Sequence, residues 1–162
     1  MTINEENLDQ ICQTLDKLAL DALTLIQEEI EIKINAENAM IGGENHLAKT
    51  RYILGQNSVS SLQLPTENSN AKALTKVHTI TDNYGLNQFD LESNKPDNEE
   101  FINPIKWFGF MPPQNLHFAQ NLYRQALQWI IQAANVQNKL CKTQEQIMQL
   151  KELKKEILTR EK

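Results

Sequence analysis

The sequence predicts an all-α protein in which two long amphipathic helical arms form a coiled-coil hairpin, joined by a long and largely disordered linker. Three observations support this fold class. Only five of the 162 residues are glycine, whereas sheet proteins need a turn about every 8–12 residues. Apolar side chains recur at heptad spacing near both ends of the chain. The region between these ends is too polar to bury much apolar surface.

The N-terminal segment, residues 1–55, is predicted to form the first arm. Its apolar side chains recur at alternating steps of three and four residues, which places a coiled-coil seam at Leu8, Ile11, Leu15, Leu18 and Leu25. Gly42 and Gly43 then interrupt the pattern, and two glycines cost about 2 kcal/mol in a helix interior relative to alanine. We therefore expect a break or kink at this pair, one more short helix, and a C-terminal cap at Gly55.

Residues 56–103 are predicted to form a largely disordered linker. They carry seven acidic and three basic side chains and are rich in asparagine, serine and threonine. Such a composition cannot bury enough apolar surface to offset the entropy lost on ordering the chain. Within residues 73–80 we expect a strand or helix to form only transiently.

The C-terminal segment, residues 104–162, contains the second arm. Pro112 and Pro113 stand where a helix can begin, because the N–H groups of its first turn have no intrahelical acceptor. We expect a helix from about residue 114 to residue 159. Its seam has two columns of side chains: Ala119, Ala126, Ala133, Leu140 and Ile147 in one, and Leu122, Trp129, Val136, Leu150 and Ile157 in the other.

The two arms are similar in length, which favours antiparallel packing in a hairpin. The linker is also long enough for parallel packing, and either arm could instead pair with another chain or with a second copy. Residues 1–41 carry nine acids and two bases, whereas residues 104–162 carry nine bases and four acids. Two complementary helices would show this charge pattern, and so would two separately solvated faces.

The sequence offers no group of residues typical of an enzyme. Its three histidines are too far apart to form a ligand pair on one helix, and no Cys-x-x-Cys pair, phosphate-binding loop or nucleophile elbow occurs. Glu28, Glu29 and Glu31 are interpreted as a solvated acidic face. Cys12 and Cys141 are interpreted as buried, reduced thiols of a cytosolic protein. We therefore predict no catalytic residue, no metal and no cofactor, and a protein that acts by binding other proteins.

Charge and hydropathy argue against three further classes of protein. The net charge of −5 argues against a general nucleic-acid-binding protein, which needs a basic surface. No window approaches the ~20 apolar residues of a membrane span, and the first residues do not resemble a secretory signal.

Two short segments are candidate partner-binding sites. In the first, Lys49, Arg51 and Tyr52 form a basic, aromatic patch within an otherwise acidic half of the chain. They are interpreted as a docking surface for an acidic partner. In the alternative, Leu47, Tyr52 and Leu54 pack inward while the two bases face solvent.

The second candidate segment spans residues 103–113. Proline and glycine keep it out of regular helix, yet it holds five large apolar side chains: Ile105, Trp107, Phe108, Phe110 and Met111. Such a cluster either folds back on the helices as a cap or binds a partner. The candidate binding residues here are Pro104, Trp107, Phe108 and Gly109.

Both segments also carry a resemblance to a known family. The run Leu47-Ala-Lys-Thr-Arg-Tyr-x-x-Gly55, followed by Ser58-Val59 and Leu62-Gln63, resembles a hallmark of the coiled-coil assembly factors of the vacuolar-type proton ATPase. A second run resembles another hallmark of the same family: Asn103-Pro-Ile-Lys-Trp-Phe-Gly109, followed by Pro112, Leu116 and Ala119-Gln120. Further along the chain, Val136-Gln137-Asn138 also has a counterpart in that family. The resemblance covers residues 46–64 and 103–140, and the linker does not match.

The resemblance implies a non-enzymatic assembly chaperone. Members of this family are peripheral proteins on the cytosolic face of the endoplasmic reticulum and early secretory membranes, with endosomes and lysosomes as further locations. They bind a small membrane-anchored assembly partner and escort the membrane sector of the pump, including its a-type subunit. They thereby support acidification of lysosomes, endosomes and vacuoles. The alternative, which generic heptads would support, is a structural coiled-coil subunit of a tethering, kinetochore or cytoskeletal complex.

Overall fold

The computed structural model describes residues 3–55, 57–66, 72–83, 85–94 and 101–160. Two long helices dominate the protein: α1 spans Ile3–Leu54 and α2 spans Gln114–Arg160. Between them the chain forms a first 3-10 helix (Ser61–Gln63), the strands β1 (Thr75–Thr81) and β2 (Asn87–Ser93), and a second 3-10 helix (Pro104–Phe108).

α1 and α2 pack side by side and run in opposite directions. Near the end of α2, Lys154 Nζ donates to Cys12 Sγ near the start of α1, at 3.2 Å. At the other end, His46 Nδ1 lies 3.0 Å from Oδ1 of Asn115 in the first turn of α2. The buried side chains of the two helices are mostly small, and include Ala36, Ala39, Ala119, Ala126 and Val136. Such short side chains allow two helix backbones to approach closely.

α1 continues without a break through Gly42 and Gly43, where the sequence predicted an interruption. A Cβ atom on Gly43 would lie 3.0 Å from Cζ of Tyr123, and one on Gly42 would lie 3.1 Å from Cδ1 of Leu122. The glycines therefore make room for two large side chains of α2, and this packing offsets their low helix propensity. α1 ends just before Gly55, whose φ of 93° is the left-handed conformation expected of a cap.

β1 and β2 form an antiparallel hairpin, with Thr75 opposite Ser93 at one end and Thr81 opposite Asn87 at the other. In the turn, Gly85 has a φ of 75°, a conformation that glycine adopts more readily than other residues. Among the described residues the sheet has these two strands alone.

The hairpin docks on α2 through β2. Asn135 Oδ1 accepts a hydrogen bond from the backbone N–H of Phe89 at 2.7 Å, and Asn135 Nδ2 donates to the carbonyl of Phe89 at 2.9 Å. One helical turn further on, Asn138 Nδ2 donates to the carbonyl of Asn87 at 3.0 Å. The side-chain amides of α2 therefore satisfy the edge of β2 that faces away from β1.

The predicted fold class, an all-α coiled-coil hairpin with a largely disordered linker, is wrong. The structure has two antiparallel helices and a two-stranded sheet, and the described part of residues 56–103 is structured. Composition was misleading because β1 mixes β-branched with polar residues, and the hairpin is held by hydrogen bonds to α2 rather than by a large apolar core. The transient element predicted within 73–80 is the strand Thr75–Thr81. The division of the chain after residues 55 and 103 stays a prediction.

The apolar residues of the helices are not confined to one covered seam. The seam residues predicted on α1 are half-buried: Leu8, Ile11, Leu15, Leu18 and Leu25. On α2 four are buried, namely Ala119, Ala126, Val136 and Leu140, and six are half-buried, namely Leu122, Trp129, Ala133, Ile147, Leu150 and Ile157. A further set of large apolar side chains on α1 is exposed, including Leu20, Leu23, Ile30, Ile34 and Ile41. The predicted seam residues are thus less exposed than this second apolar stripe, which faces outward.

The prediction that both cysteines are buried is wrong. Both thiols are free, but Cys12 is half-buried and Cys141 is exposed.

None of the described helices has a stretch long and apolar enough to span a membrane.

Candidate functional site

A small apolar cluster joins the two candidate segments at one end of the helix pair. Val59, Ile105 and Leu116 are buried there, and Leu47 and Phe108 pack against them. These five residues come from α1, the loop after it, the second 3-10 helix and α2. The cluster therefore brings together residues that are far apart in the sequence.

The loop after α1 is held by its own hydrogen bonds. Beyond the cap at Gly55, the backbone N–H of Ser58 donates to the Gly55 carbonyl at 3.1 Å. Arg51 Nε reaches back from α1 to the Val59 carbonyl at 3.2 Å. Ser60 and Gln63 then cap the first 3-10 helix reciprocally, with the Ser60 N–H donating to Gln63 Oε1 at 3.1 Å. These contacts direct Val59 into the cluster.

The segment before α2 is anchored by Asn103. Its Oδ1 caps the second 3-10 helix by accepting from the Ile105 N–H at 3.2 Å, and also accepts from Gln120 Nε2 of α2 at 2.7 Å. Gly109, with a φ of 129°, ends this short helix. The chain then turns outward, so the side chains of Phe110 and Met111 are 101% and 86% exposed.

A pocket of about 630 Å³ opens beside this cluster, and we call it the motif pocket. The first segment and its following loop contribute Leu47, Arg51, Val59 and Ser60 to the wall, and the second contributes Pro104, Ile105 and Phe108. α2 adds a further wall that includes Leu116, Gln120, Tyr123, Arg124 and Leu127. Its volume falls in the range of typical ligand pockets, and most of the lining side chains are apolar.

The charged groups of the motif pocket are of one sign. Arg51 and Arg124 both line it, and no aspartate or glutamate does among the described residues. Neither arginine forms an ion pair with a described carboxylate. Burial raises the pKa of the neighbouring Tyr123 phenol above its usual value, the negative charge of Glu44 raises it further, and the positive charge of Arg51 acts in the opposite direction.

The structure groups some of the predicted partner-binding residues and separates others. Arg51, Pro104 and Phe108 line the motif pocket. Lys49 is exposed and does not line it, and Tyr52 borders a neighbouring depression that also includes Arg51. The alternative in which Leu47, Tyr52 and Leu54 pack inward is wrong for two of its three residues. Leu47 packs against the buried cluster, but Tyr52 is 91% exposed and Leu54 is also exposed.

The other residues of the second segment fall beside the pocket. Trp107 is half-buried and Gly109 is exposed, and neither lines the motif pocket. The role of all these residues as partner contacts stays a prediction.

Sequence reasoning did not select several residues that form the pocket. Val59, Leu116 and Gln120 belong to the runs that carry the family resemblance, so a signal for them was available. Arg124 lies on α2 without a local motif around it. Leu74 and Thr75 also line the pocket, and they are placed there by the β-hairpin that the sequence did not predict.

The lining of the motif pocket combines apolar, cationic and hydroxyl groups. Among the described residues, no three histidine, cysteine, aspartate or glutamate side chains are grouped so that they could hold a metal ion. The lining offers an apolar floor, two guanidinium groups and the hydroxyls of Ser60, Ser61 and Thr75. Such a surface can hold an apolar group next to an anionic one.

Comparison with known proteins identifies relatives that span most of the chain. The sequence matches no protein-family model. It is 28% identical to the vacuolar ATPase assembly protein VMA22 of Bos taurus over 157 aligned residues, covering 80% of this chain and 86% of the relative. It is 28% identical to the Homo sapiens protein of the same name, with 88% and 92% covered, and 26% identical to that of Danio rerio, with 85% and 91% covered.

The alignments to these relatives cover between 80% and 88% of this chain. These relatives confirm the family resemblance: over most of its length the chain is similar to proteins named as vacuolar ATPase assembly proteins.

Proposed function

We propose that this protein is a non-enzymatic assembly factor for the vacuolar-type proton ATPase and that it acts by binding its partners at the motif pocket. The proposal is carried by one observation. The two segments that characterise the family, far apart in sequence, meet around a single pocket with an apolar floor. Its relatives are named as vacuolar ATPase assembly proteins.

The finer part of the proposal concerns the stage of assembly. The protein escorts the membrane sector of the pump together with a small membrane-anchored partner, at the cytosolic face of the endoplasmic reticulum, and so supports organelle acidification. Family resemblance supports this part. A peripheral protein can work there by contacting the cytosolic portions of membrane subunits.

The fold suits such a role. α1 has 52 residues, so it extends for about 80 Å at 1.5 Å per residue. The helix pair presents the motif pocket at one end of a long scaffold. The pocket is open and its rim is polar, which is typical of interfaces that form and dissociate rather than of permanent ones. An assembly factor must release its client, and a small open site permits release.

The test is affinity purification of the full-length protein from detergent-solubilised membranes. Leu64 and Leu127 line the motif pocket and are exposed, so Leu64→Gln with Leu127→Gln alters the pocket without removing core side chains. The matched control is Met148→Gln with Leu153→Gln, at exposed positions outside the pocket. We expect the wild type and the control to recover membrane-sector subunits and to restore acidification in cells lacking the protein. The pocket variant should do neither.

Two outcomes would contradict the proposal. Recovery of soluble coiled-coil proteins without pump subunits by the wild type would support the structural-subunit alternative. Recovery of pump subunits by the pocket variant at wild-type levels would separate assembly from the motif pocket.

A further inference from the structure

We infer that the motif pocket binds an acidic, apolar peptide segment of a protein partner, with an apolar side chain on the pocket floor and a carboxylate held by Arg51 and Arg124. This inference rests on the proposed function, because it names the chemistry that the same pocket recognises.

The floor of the pocket selects an apolar group. Val59, Ile105 and Leu116 are between 5% and 6% exposed and form its base. A polar group placed there would lose its water without gaining a hydrogen-bond partner. An aliphatic or aromatic side chain would instead remove apolar surface from water on both partners.

The charges at the pocket select an anion. Arg51 donates through Nε to the Val59 carbonyl, which holds the side chain in place and leaves the two terminal nitrogens of its guanidinium group for a ligand. Arg124 lines the same pocket from α2. A guanidinium group binds a carboxylate through two parallel hydrogen bonds, and the apolar surroundings strengthen such a pair.

The charge of the neighbouring segments also favours an anionic ligand. Residues 45–66 and 101–144 carry six bases and no acid, although the chain as a whole is acidic. Glu44 raises the pKa of Tyr123, but it does not line the pocket. A basic partner would therefore meet repulsion at this site, whereas an acidic partner would meet attraction.

The rim favours a peptide over a small anion. Ser60, Ser61 and Thr75 place hydroxyls beside the pocket, where they can bind the amide groups of a peptide backbone.

Thr75 also begins β1, which has a strand neighbour on one side only among the described residues. In an antiparallel pair, residues alternate between those whose backbone groups bond the neighbouring strand and those whose backbone groups face away from it. Phe89 directs its N–H and C=O to Asn135 and not to β1, so the backbone groups of its pairing partner Thr79 also face away from β2. By the same alternation, the backbone groups of Thr75 and Val77 face away from β2 as well. An extended segment leaving the pocket can therefore continue along this open edge.

The test uses the full-length protein and three fluorescein-labelled synthetic peptides in anisotropy titrations. The first peptide alternates glutamate with leucine and phenylalanine, the second replaces each glutamate by lysine, and the third replaces each apolar residue by serine. We expect the first peptide to bind at least about tenfold more tightly than either of the others. Arg51→Gln and Arg124→Gln should each weaken its binding about tenfold. Arg124→Glu should move the preference toward the lysine peptide.

The control for charge reversal is Lys151→Glu, at an exposed position near the far end of α2, which should leave all three affinities unchanged. Helicity measured by circular dichroism checks that each variant folds. Equal affinity for the glutamate and lysine peptides, or wild-type affinity for the glutamate peptide in both arginine variants, would overturn the inference. So would arginine-dependent binding to phosphatidylserine-containing vesicles without peptide binding, because the ligand would then be a lipid surface.

Failure of this inference and failure of the proposed function are distinguishable. If Arg124→Glu still recovers the membrane-sector subunits at wild-type levels, the inferred charge recognition is wrong while the assembly role stands. If the wild type recovers no pump subunit, the assembly role itself is wrong, whatever the peptides do.

Discussion

The side-chain amide of Asn135 pairs with both backbone polar groups of Phe89, at 2.7 Å to its N–H and 2.9 Å to its carbonyl. A helix thereby completes the hydrogen bonding of a strand edge, as a neighbouring strand would do. The two residues are 46 positions apart. This contact fixes the β-hairpin on α2, and with it the strand that reaches the motif pocket.

Replacing Asn135 should release the hairpin while leaving the helices intact. Asn135→Ala removes the partner of two part-buried backbone groups, so we expect a loss of about 1–3 kcal/mol in the local stability of the hairpin. Amide hydrogen exchange at Phe89 should accelerate accordingly, whereas the helical circular dichroism signal should stay unchanged.

Two variants calibrate this result. Asn138→Ala removes one exposed hydrogen bond and should have a smaller effect, and Asn121→Ala, at an exposed position of the same helix, should have none. Unchanged exchange at Phe89 in Asn135→Ala would show that the hairpin is held by other contacts.

The glycine pair of α1 gives a second prediction, about packing. A Cβ on Gly43 would lie 3.0–3.2 Å from three atoms of the rigid Tyr123 ring. The free-energy cost of this crowding should exceed the gain of about 1 kcal/mol that alanine brings in helix propensity. We expect Gly43→Ala to lower the free energy of unfolding by about 1 kcal/mol in urea denaturation.

Gly42→Ala is the matched control, since both substitutions gain the same helix propensity. Its Cβ would approach a terminal methyl group of Leu122, which can rotate away, so we expect it to be neutral or stabilising. A stabilising effect of Gly43→Ala equal to that of Gly42→Ala would contradict the packing explanation.

Sequence reasoning located the helices because helical periodicity is local. The end of α1 at Gly55 and the beginning of α2 after Pro113 were predicted from residues within one turn of each boundary. The glycine pair was misread because its partner, Tyr123, lies 80 positions away and leaves no mark on the local pattern.

The hairpin and part of the pocket could not be predicted for a related reason. β1 exposes most of its side chains, so it shows no clean alternation of buried and exposed positions, and its anchor Asn135 lies in another element. Within the motif pocket, Arg51 stood out as a base in an acidic half of the chain. Arg124, on a long basic helix, did not, and only the fold brings the two together.

Tyr123 gives a prediction about titration. Burial and Glu44 raise the pKa of its phenol above 10.0, and Arg51 acts in the opposite direction. The neutral phenol is therefore favoured in the folded state. Its contribution to stability is complete below pH 10.0 and is lost as the pH rises through the folded-state pKa. The absorbance difference at about 295 nm between wild type and Tyr123→Phe should titrate above pH 10.0.

The neighbours of Tyr123 set the direction of further shifts. Glu44→Gln should lower the pKa of Tyr123, and Arg51→Gln should raise it, because each removes one charge of known sign. A pKa of Tyr123 that is indifferent to Arg51→Gln would place that arginine away from the pocket wall.

The apolar segment after residue 103 divides into a folded part and an exposed part, which gives the last prediction. Ile105 is buried in the cluster, so Ile105→Ala should cost about 2–5 kcal/mol through lost burial and the cavity left behind. Phe110 and Met111 make no such contribution because their side chains are exposed, and Phe110→Ser with Met111→Ser should change stability by less than about 0.5 kcal/mol. Urea denaturation of the three proteins measures both effects. If the double variant nevertheless fails to recover pump subunits in affinity purification, Phe110 and Met111 contact the partner beside the motif pocket. If the double variant loses as much stability as Ile105→Ala, the pair instead packs within the fold.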